Sequence, residues 1–172
     1  MRKVILMLAV SLDGYIEGPQ GEFDWCFTDQ DYGMSDFFRQ IDSLFIGRKS
    51  YELTLTMGDA AMPGFPKLTE YVFSTTLKEV KPGAVLITGD IEAEVRRIKN
   101  QKDKDIWLFG GASLTASLLN LGLVDEIRLA VHPIILGDGK PLFSNIRNRI
   151  ILNLTDTKTY SSGLVALTYT LA

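Results

Sequence analysis

Between Asp105 and Leu119 the sequence reads DIWLFGGASLTASLL. A run of large apolar residues stops at Gly110-Gly111, and a helix-like pattern starts at once. Two adjacent glycines weaken whatever element holds them, because they bring the most backbone freedom and no side chain to pack. A chain that passes from strand to helix through such a pair, with no loop, belongs to an α/β protein. The pair then marks a place where the backbone is approached closely. It either eases a strand–helix contact or leaves room for a ligand, and spacing alone leaves both readings open.

The rest of the chain fits that class. Lys3–Ser11 reads as a strand buried on both faces, and SLDGYIEGPQGEFDW as a long loop anchored by Ile16. A weak helix over Tyr32–Ile41 precedes a short strand at Ser43–Ile46, and Gly47 opens a helix over about Lys49–Thr56. A Gly/Pro-rich loop follows from Met57 to Leu68. Strands are expected at Tyr71–Ser74 and Ala84–Thr88, and a helix at Ile91–Asn100. The strand at Ile106–Phe109 leads to a helix from Ser113 to Leu121. From Glu126 on the pattern is all strand: Glu126–Ile135, then the turn-rich LGDGKPLF, then Ile150–Tyr160. A hairpin turn at Ser161-Ser162-Gly163 leads to Leu164–Leu171. Alternating strands and helices closed by a run of strands predict a mixed sheet, mostly parallel, with an antiparallel C-terminal edge. With 172 residues, a single domain over 1–172 is expected. Such a chain buries roughly 70% of its unfolded surface.

Charge and composition narrow the partners. A net charge of −3 offers no basic field for nucleic acid or for an anionic membrane, so an anionic ligand has to be held by local groups. No segment reaches the ~18 apolar residues of a membrane span. One cysteine, Cys26, excludes an internal disulfide, which fits a reducing cytoplasm. Cys26 between Trp25 and Phe27 reads as a packing residue. A single histidine, His132, in the strand segment AVHPII reads as a satisfied core or edge histidine. One His and one Cys leave no zinc site, and no metal is expected.

Three strand ends run into polar or glycine-rich turns: FIGRKSYE, VFSTTL and LFGGASL. In open α/β sheets ligands sit at the carboxyl ends of strands, and helix N-termini there present free N–H groups with a partial positive charge. A phosphate docks on such an end without a lysine-rich loop. Gly110 and Gly111 would let a pyrophosphate touch the backbone, with N–H donors from Ala112, Ser113 and Leu114 and hydroxyls from Ser113 or Thr115. Gly47 would serve a second helix, with Arg48 and Lys49 as cations. Ser74, Thr75 and Thr76 could bracket the same group. Two phosphate sites on adjacent helix ends suggest a dinucleotide, and the extra Arg with its hydroxyls suggests NADP rather than NAD. Each motif also has a plainer reading: GRKS as a solvated helix start, STT as a turn. Neither G-x-G-x-x-G nor G-x-x-x-x-G-K-[ST] is present.

The ordered set AVSLDGYIEG, a Trp after the loop, IGRKSYE, FSTT and LFGGASL resembles the dihydrofolate reductase superfamily. The stretch VDEIRLAVHPIILGDGKPLF, Val124–Phe143, is similar to the branch found as the reductase domain of riboflavin biosynthesis. The resemblance spans essentially the whole chain. It implies a three-layer fold with a mixed sheet of about eight strands, a small-molecule substrate and NADPH as cofactor. It also implies a cis peptide between the two glycines and a homodimer. By position, Ala9 and Ile16 would face the nicotinamide. Gly47, Arg48, Lys49 and Ser50 would hold phosphates, Ser74 and Thr75 would lie near the adenosine ribose, and Gly110 to Leu114 would cradle the pyrophosphate. The implied reaction is hydride transfer to a pterin- or aminouracil-type substrate, most like that of 5-amino-6-(5-phosphoribosylamino)uracil reductase. Asp13 is the candidate proton donor, and Trp25, Phe37 and Phe38 are candidates for the substrate slot. The carboxylate that binds pterin on the first helix of dihydrofolate reductase has no match by spacing among Asp29, Asp31 and Asp36. Dihydrofolate reductase proper, or a non-catalytic NADPH-binding module, are the alternatives.

Overall fold

A computed structural model describes residues 1–58 and 64–172. The chain opens with β1 (Val4–Ser11), β2 (Tyr15–Glu17), α1 (Met34–Gln40), β3 (Ile41–Gly47) and α2 (Arg48–Met57). It continues through β4 (Thr69–Phe73), β5 (Val85–Ile87), α3 (Ile91–Lys99), β6 (Asp105–Gly110) and α4 (Ala112–Asn120). It ends with β7 (Glu126–His132), β8 (Lys140–Pro141), β9 (Leu152–Thr159) and β10 (Val165–Leu171). Part of the loop expected over Met57–Leu68 lies outside the described residues, at 59–63.

Eight strands form one sheet in the order β5-β4-β3-β6-β1-β7-β10-β9, and β2 with β8 forms a two-stranded ribbon. Neighbours from β5 to β7 pair in parallel; β10 runs antiparallel to both β7 and β9. The mixed sheet with its antiparallel C-terminal edge is therefore as the alternation implies.

Successive side chains of a strand face opposite sides, so apolar runs such as VILML and LFI feed two cores. One holds Val4, Leu6, Phe45, Ile106 and Leu108 against Val95 and Ile98 of α3 and Leu114 and Leu118 of α4. The other holds Ile5, Leu44, Ile46 and Trp107 against Phe37 of α1 and Tyr51 of α2. Helices cover both faces, giving three layers. Each fully buried leucine here, such as Leu118, stabilises the fold by about 2–5 kcal/mol relative to alanine.

Two local differences from expectation have clear causes. β7 stops at His132 instead of Ile135, because Pro133 has no N–H to give the ladder. β2 and β8 fall inside segments that read as loops, because two or three residues are too few to show a period. The ribbon is held tightly: a side-chain carbon on Gly139 would sit 2.2 Å from the Glu17 carbonyl oxygen.

Candidate functional site

The parallel strands all end on the same edge, and β3 lies beside β6 with Ile46 level with Gly110. That register brings Gly47 against the glycine pair. A carbon added at Gly47 would stand 3.7 Å from both the Gly110 carbonyl oxygen and the Gly111 nitrogen. Gly110 adopts φ +116, a backbone that L side chains rarely take, and the Gly110-Gly111 peptide is cis. A side-chain carbon on Gly111 would come within 3.1 Å of Ser50 Oγ and 4.0 Å of Lys140 Nζ. The space beside Gly111 is thus bordered by a hydroxyl and an ammonium.

Around that point lies a cleft of about 420 Å³. Its walls come from the three strand ends singled out above. Gly47, Arg48, Lys49 and Ser50 form one side; Ser74, Thr75 and Thr76 form another; Gly111 to Leu114 form the third, with Ser117 a turn further along α4. Two of the helices that open onto it are bare at their starts. Gly47 precedes α2 and Gly111 precedes α4 at the cap position, and neither has a side chain to bond the first N–H groups. α3, whose first residue Ile91 also borders the cleft, is by contrast capped by Asp90, whose carboxylate accepts the Ala93 N–H at 3.1 Å. Uncapped N–H groups in a concave site, with partial positive charge behind them, suit an anion.

The side chains add donors. Ser74 Oγ accepts the N–H groups of Thr76 and Leu77 at 3.1 and 3.0 Å, so the turn reading of STT holds as well, in a turn that also lines the cleft. Arg48 is held by Glu52, one turn on, through two bonds of 2.9 and 3.2 Å, and Lys49 is exposed. Thr115, read as a hydroxyl donor, is turned into the core, where its Oγ1 has no partner among the described residues. Several wall groups escape sequence reasoning, among them Thr88 and Gly89, just past β5, and Lys140. Lys140 lies inside the stretch Val124–Phe143 but far beyond LFGGASL, and nothing local in GDGKP marks it as an anion ligand.

Ala9 and Ile16 are not among the residues of this cleft. Ala9 stands in the second half of β1, level with Ala130 of β7, and Ile16 packs from β2 onto the first core.

The substrate-side candidates divide. Phe37 is 1% exposed and sits edge-on against Trp107 at 5.4 Å with Arg128 over its face, so its expected place in a substrate slot is corrected to core packing. Phe38 is half-buried between Phe65 and Trp107. Trp25 lies edge-on to His132, and its buried indole N–H has no partner among the described residues. His132 is 3% exposed; its Nε2 accepts the Phe27 N–H at 3.1 Å, which leaves Nδ1 to donate to the Ala130 carbonyl at 2.9 Å. It is a satisfied histidine that pins the loop after β2, and burial pulls its pKa below the ordinary value of 6.5.

Asp13 serves the loops instead of a substrate. It is exposed, accepts the Ser11 hydroxyl at 2.7 Å, and accepts the Leu136 and Gly137 N–H groups at 3.1 and 2.8 Å. The Ser11 bond, then those N–H groups, hold its carboxyl below the usual range, whereas a proton donor needs it raised. The expected acid role is corrected on that ground. Asp31 accepts from Ser35 and Gly33, Asp29 from the Tyr32 hydroxyl, and Asp36 pairs with Arg39 on the surface. All three are engaged around the start of α1. Burial, with Asp24 nearby, raises the Cys26 thiol to about 11, so it stays protonated. Among the described residues no cluster of His, Cys, Asp or Glu could hold a metal ion, and no helix is long and apolar enough to cross a membrane.

Sheet order, two bare helix starts and a glycine pair between them define the dihydrofolate reductase-like class of α/β folds. Within it, the chain belongs to the RibD C-terminal domain family, which matches residues 2–166. It is 46% identical over 180 residues to the uncharacterized protein YyaP of Bacillus subtilis strain 168, covering 98% of this chain and 94% of YyaP. A Shewanella sp. PV-4 crystal structure, of a protein whose name provisionally assigns it to riboflavin biosynthesis, superposes with TM-score 0.86 at 26% identity, over 99% of both chains. Dihydrofolate reductase from Enterococcus faecalis, solved as a complex with NADP(H), superposes with TM-score 0.63 at 17% identity, over 98% of this chain and 96% of that one. The family is of the riboflavin-biosynthesis reductase type, and the chain is reductase-like.

Proposed function

We propose that this protein is an NADPH-dependent reductase acting on a small heterocyclic substrate of the aminouracil or pterin type. The observation that carries the reading is the cleft where two uncapped helix starts meet across side-chain-free backbone. The residues fit the cofactor: Gly111 to Leu114 and Ser50 would hold the pyrophosphate. Arg48 and Lys49, with Ser74 and Thr75, would hold the 2′-phosphate and adenosine ribose. Ala9 and Ile16 would border the nicotinamide. When bound, the reduced nicotinamide supplies hydride to a polarised C=N or C=O. The chain contributes orientation, exclusion of water and a positive local field. Trp25 and Phe38 are the aromatic groups offered to a flat substrate. With Asp13 tied to the loops, the accompanying proton is assigned to solvent water.

A non-catalytic module stays in view for one reason: the carboxylates near α1 are all engaged by their own turns. The test mixes the protein with NADPH and, in turn, a phosphoribosylaminouracil and dihydrofolate, following loss of NADPH absorbance. Turnover of the aminouracil alone supports the riboflavin-type reading, and turnover of dihydrofolate alone supports dihydrofolate reductase. Binding of NADPH without turnover of either supports the module, and no binding removes the cofactor assignment. We also place the protein in the cytoplasm as a homodimer. The exposed edge strand β9 and the apolar Ile151 and Leu154 beside and on it support an edge contact, and sedimentation checks it.

A further inference from the structure

Among the described residues, Lys140 is the cation that comes to the glycine pair from outside the two helices. It sits on β8, which pairs with β2, and its Nζ stands 4.0 Å from where a Gly111 side chain would begin. Its present partner is Glu17 of β2, at 3.5 Å, with side chains 38% and 31% exposed. A half-exposed pair at that distance is weak and easily exchanged. Arg48, by contrast, is fixed to Glu52 by two shorter bonds. Across the cleft from Lys140, Ser50 Oγ points at the same space. An anion seated on the α4 N-terminus would therefore find a hydroxyl on one side and an ammonium on the other. A doubly charged diphosphate is the natural match, since the ammonium adds a full charge to the partial charge of the helix start.

We propose that Lys140 is a phosphate-binding residue of this cleft, and that it exchanges Glu17 for the diphosphate when the cleft fills. The close fit of Gly139 against the Glu17 carbonyl keeps the two residues together, so the same exchange links cleft occupancy to the loop between β1 and α1. The proposal rests on the cofactor reading for the identity of the ligand, but not for its charge.

The test measures dissociation constants for NADPH and, separately, inorganic pyrophosphate by calorimetry. The proteins are the unaltered chain, Lys140→Met, Lys140→Arg, Glu17→Gln and the Lys140→Met/Glu17→Gln pair. Loss of a charge-assisted bond predicts roughly tenfold or weaker binding of both ligands by Lys140→Met, largely recovered in Lys140→Arg. Glu17→Gln frees the lysine and should tighten binding roughly two- to fivefold, and this gain should vanish in the Lys140→Met background. If NADPH binds and Lys140→Met stays within about twofold of it, or if the Glu17→Gln gain persists without Lys140, the proposal is overturned while the cofactor reading stands. If pyrophosphate binds in a Lys140-dependent way and NADPH does not bind, the lysine assignment stands and the cofactor reading falls. If neither binds, both fall.

Discussion

The two ends of the parallel strands are built on opposite rules. At the amino ends the buried donors are matched. Arg2 is buried and bonds Asp42, Ser43 Oγ at 2.6 Å and the Lys104 carbonyl. Lys99, also buried, meets Asp125 at 2.6 Å, and Asp125 accepts the Val4 N–H at 2.7 Å. Asp105 accepts the Lys3 N–H at 2.8 Å, and Asp42 accepts that of Lys104 at 2.9 Å. At the carboxyl ends of β3 and β6 the first N–H groups of α2 and α4 face a cleft, and among the described residues no carboxylate caps them. One end is saturated and structural; the other is left short of acceptors, as a site for an anion must be. Changes at the first should alter stability without affinity, and changes at the second the reverse.

Arg2→Met should show the largest effect. It leaves Asp42 without its buried partner, and denaturant unfolding should report a loss of about 3 kcal/mol. NADPH affinity, measured on the same variant in buffer, should not move. The mirror experiment is Gly47→Asp. Gly47 has φ −78, and a Cβ there would meet its neighbours at ordinary contact distances, so an aspartate would cap α2 as Asp90 caps α3. Melting temperature should hold or rise slightly, while NADPH binding falls roughly a hundredfold because an anion now occupies the anion site. A variant that kept its affinity would break the contrast between the two ends.

Arg48→Ala sharpens the cofactor assignment within the bare end. It should weaken NADPH roughly tenfold and NADH much less, since only the former carries the 2′-phosphate; equal losses for both would take Arg48 off that phosphate. Asp90→Ala, on the capped helix, should cost about 1 kcal/mol of stability and leave affinity alone. The smallest effect is a pH slope. Burial keeps the His132 pKa below 6.5 in the folded protein, so the unfolded chain binds the proton more readily. The histidine's contribution is whole above about pH 6.5, and it is lost as pH falls through that value toward the lower folded pKa. Melting temperatures between pH 7.5 and 5.5 should fall less steeply in His132→Gln than in the unaltered protein.

Much of this was legible from residues alone, and the reason is local. LFGGASL and FIGRKSYE announce a strand, a turn without side chains and a helix, because period and glycine placement are properties of neighbouring residues. The two-layered burial of VILML follows from the same kind of pattern. Roles that depend on distant partners were not legible. Phe37 became core because Trp107, seventy residues later, meets its edge. Asp13 became a clasp because the N–H groups of Leu136 and Gly137 arrive from beyond β7.

The sequence by itself determined the fold class and which strand ends would carry bare backbone, since hydrophobic period, glycine and proline act over a few residues. The tertiary structure alone decided that those ends share one cleft and that Lys140 reaches it from the β2–β8 ribbon. Register and sheet order set those distances, and they arise from packing across the whole chain, which no short stretch encodes.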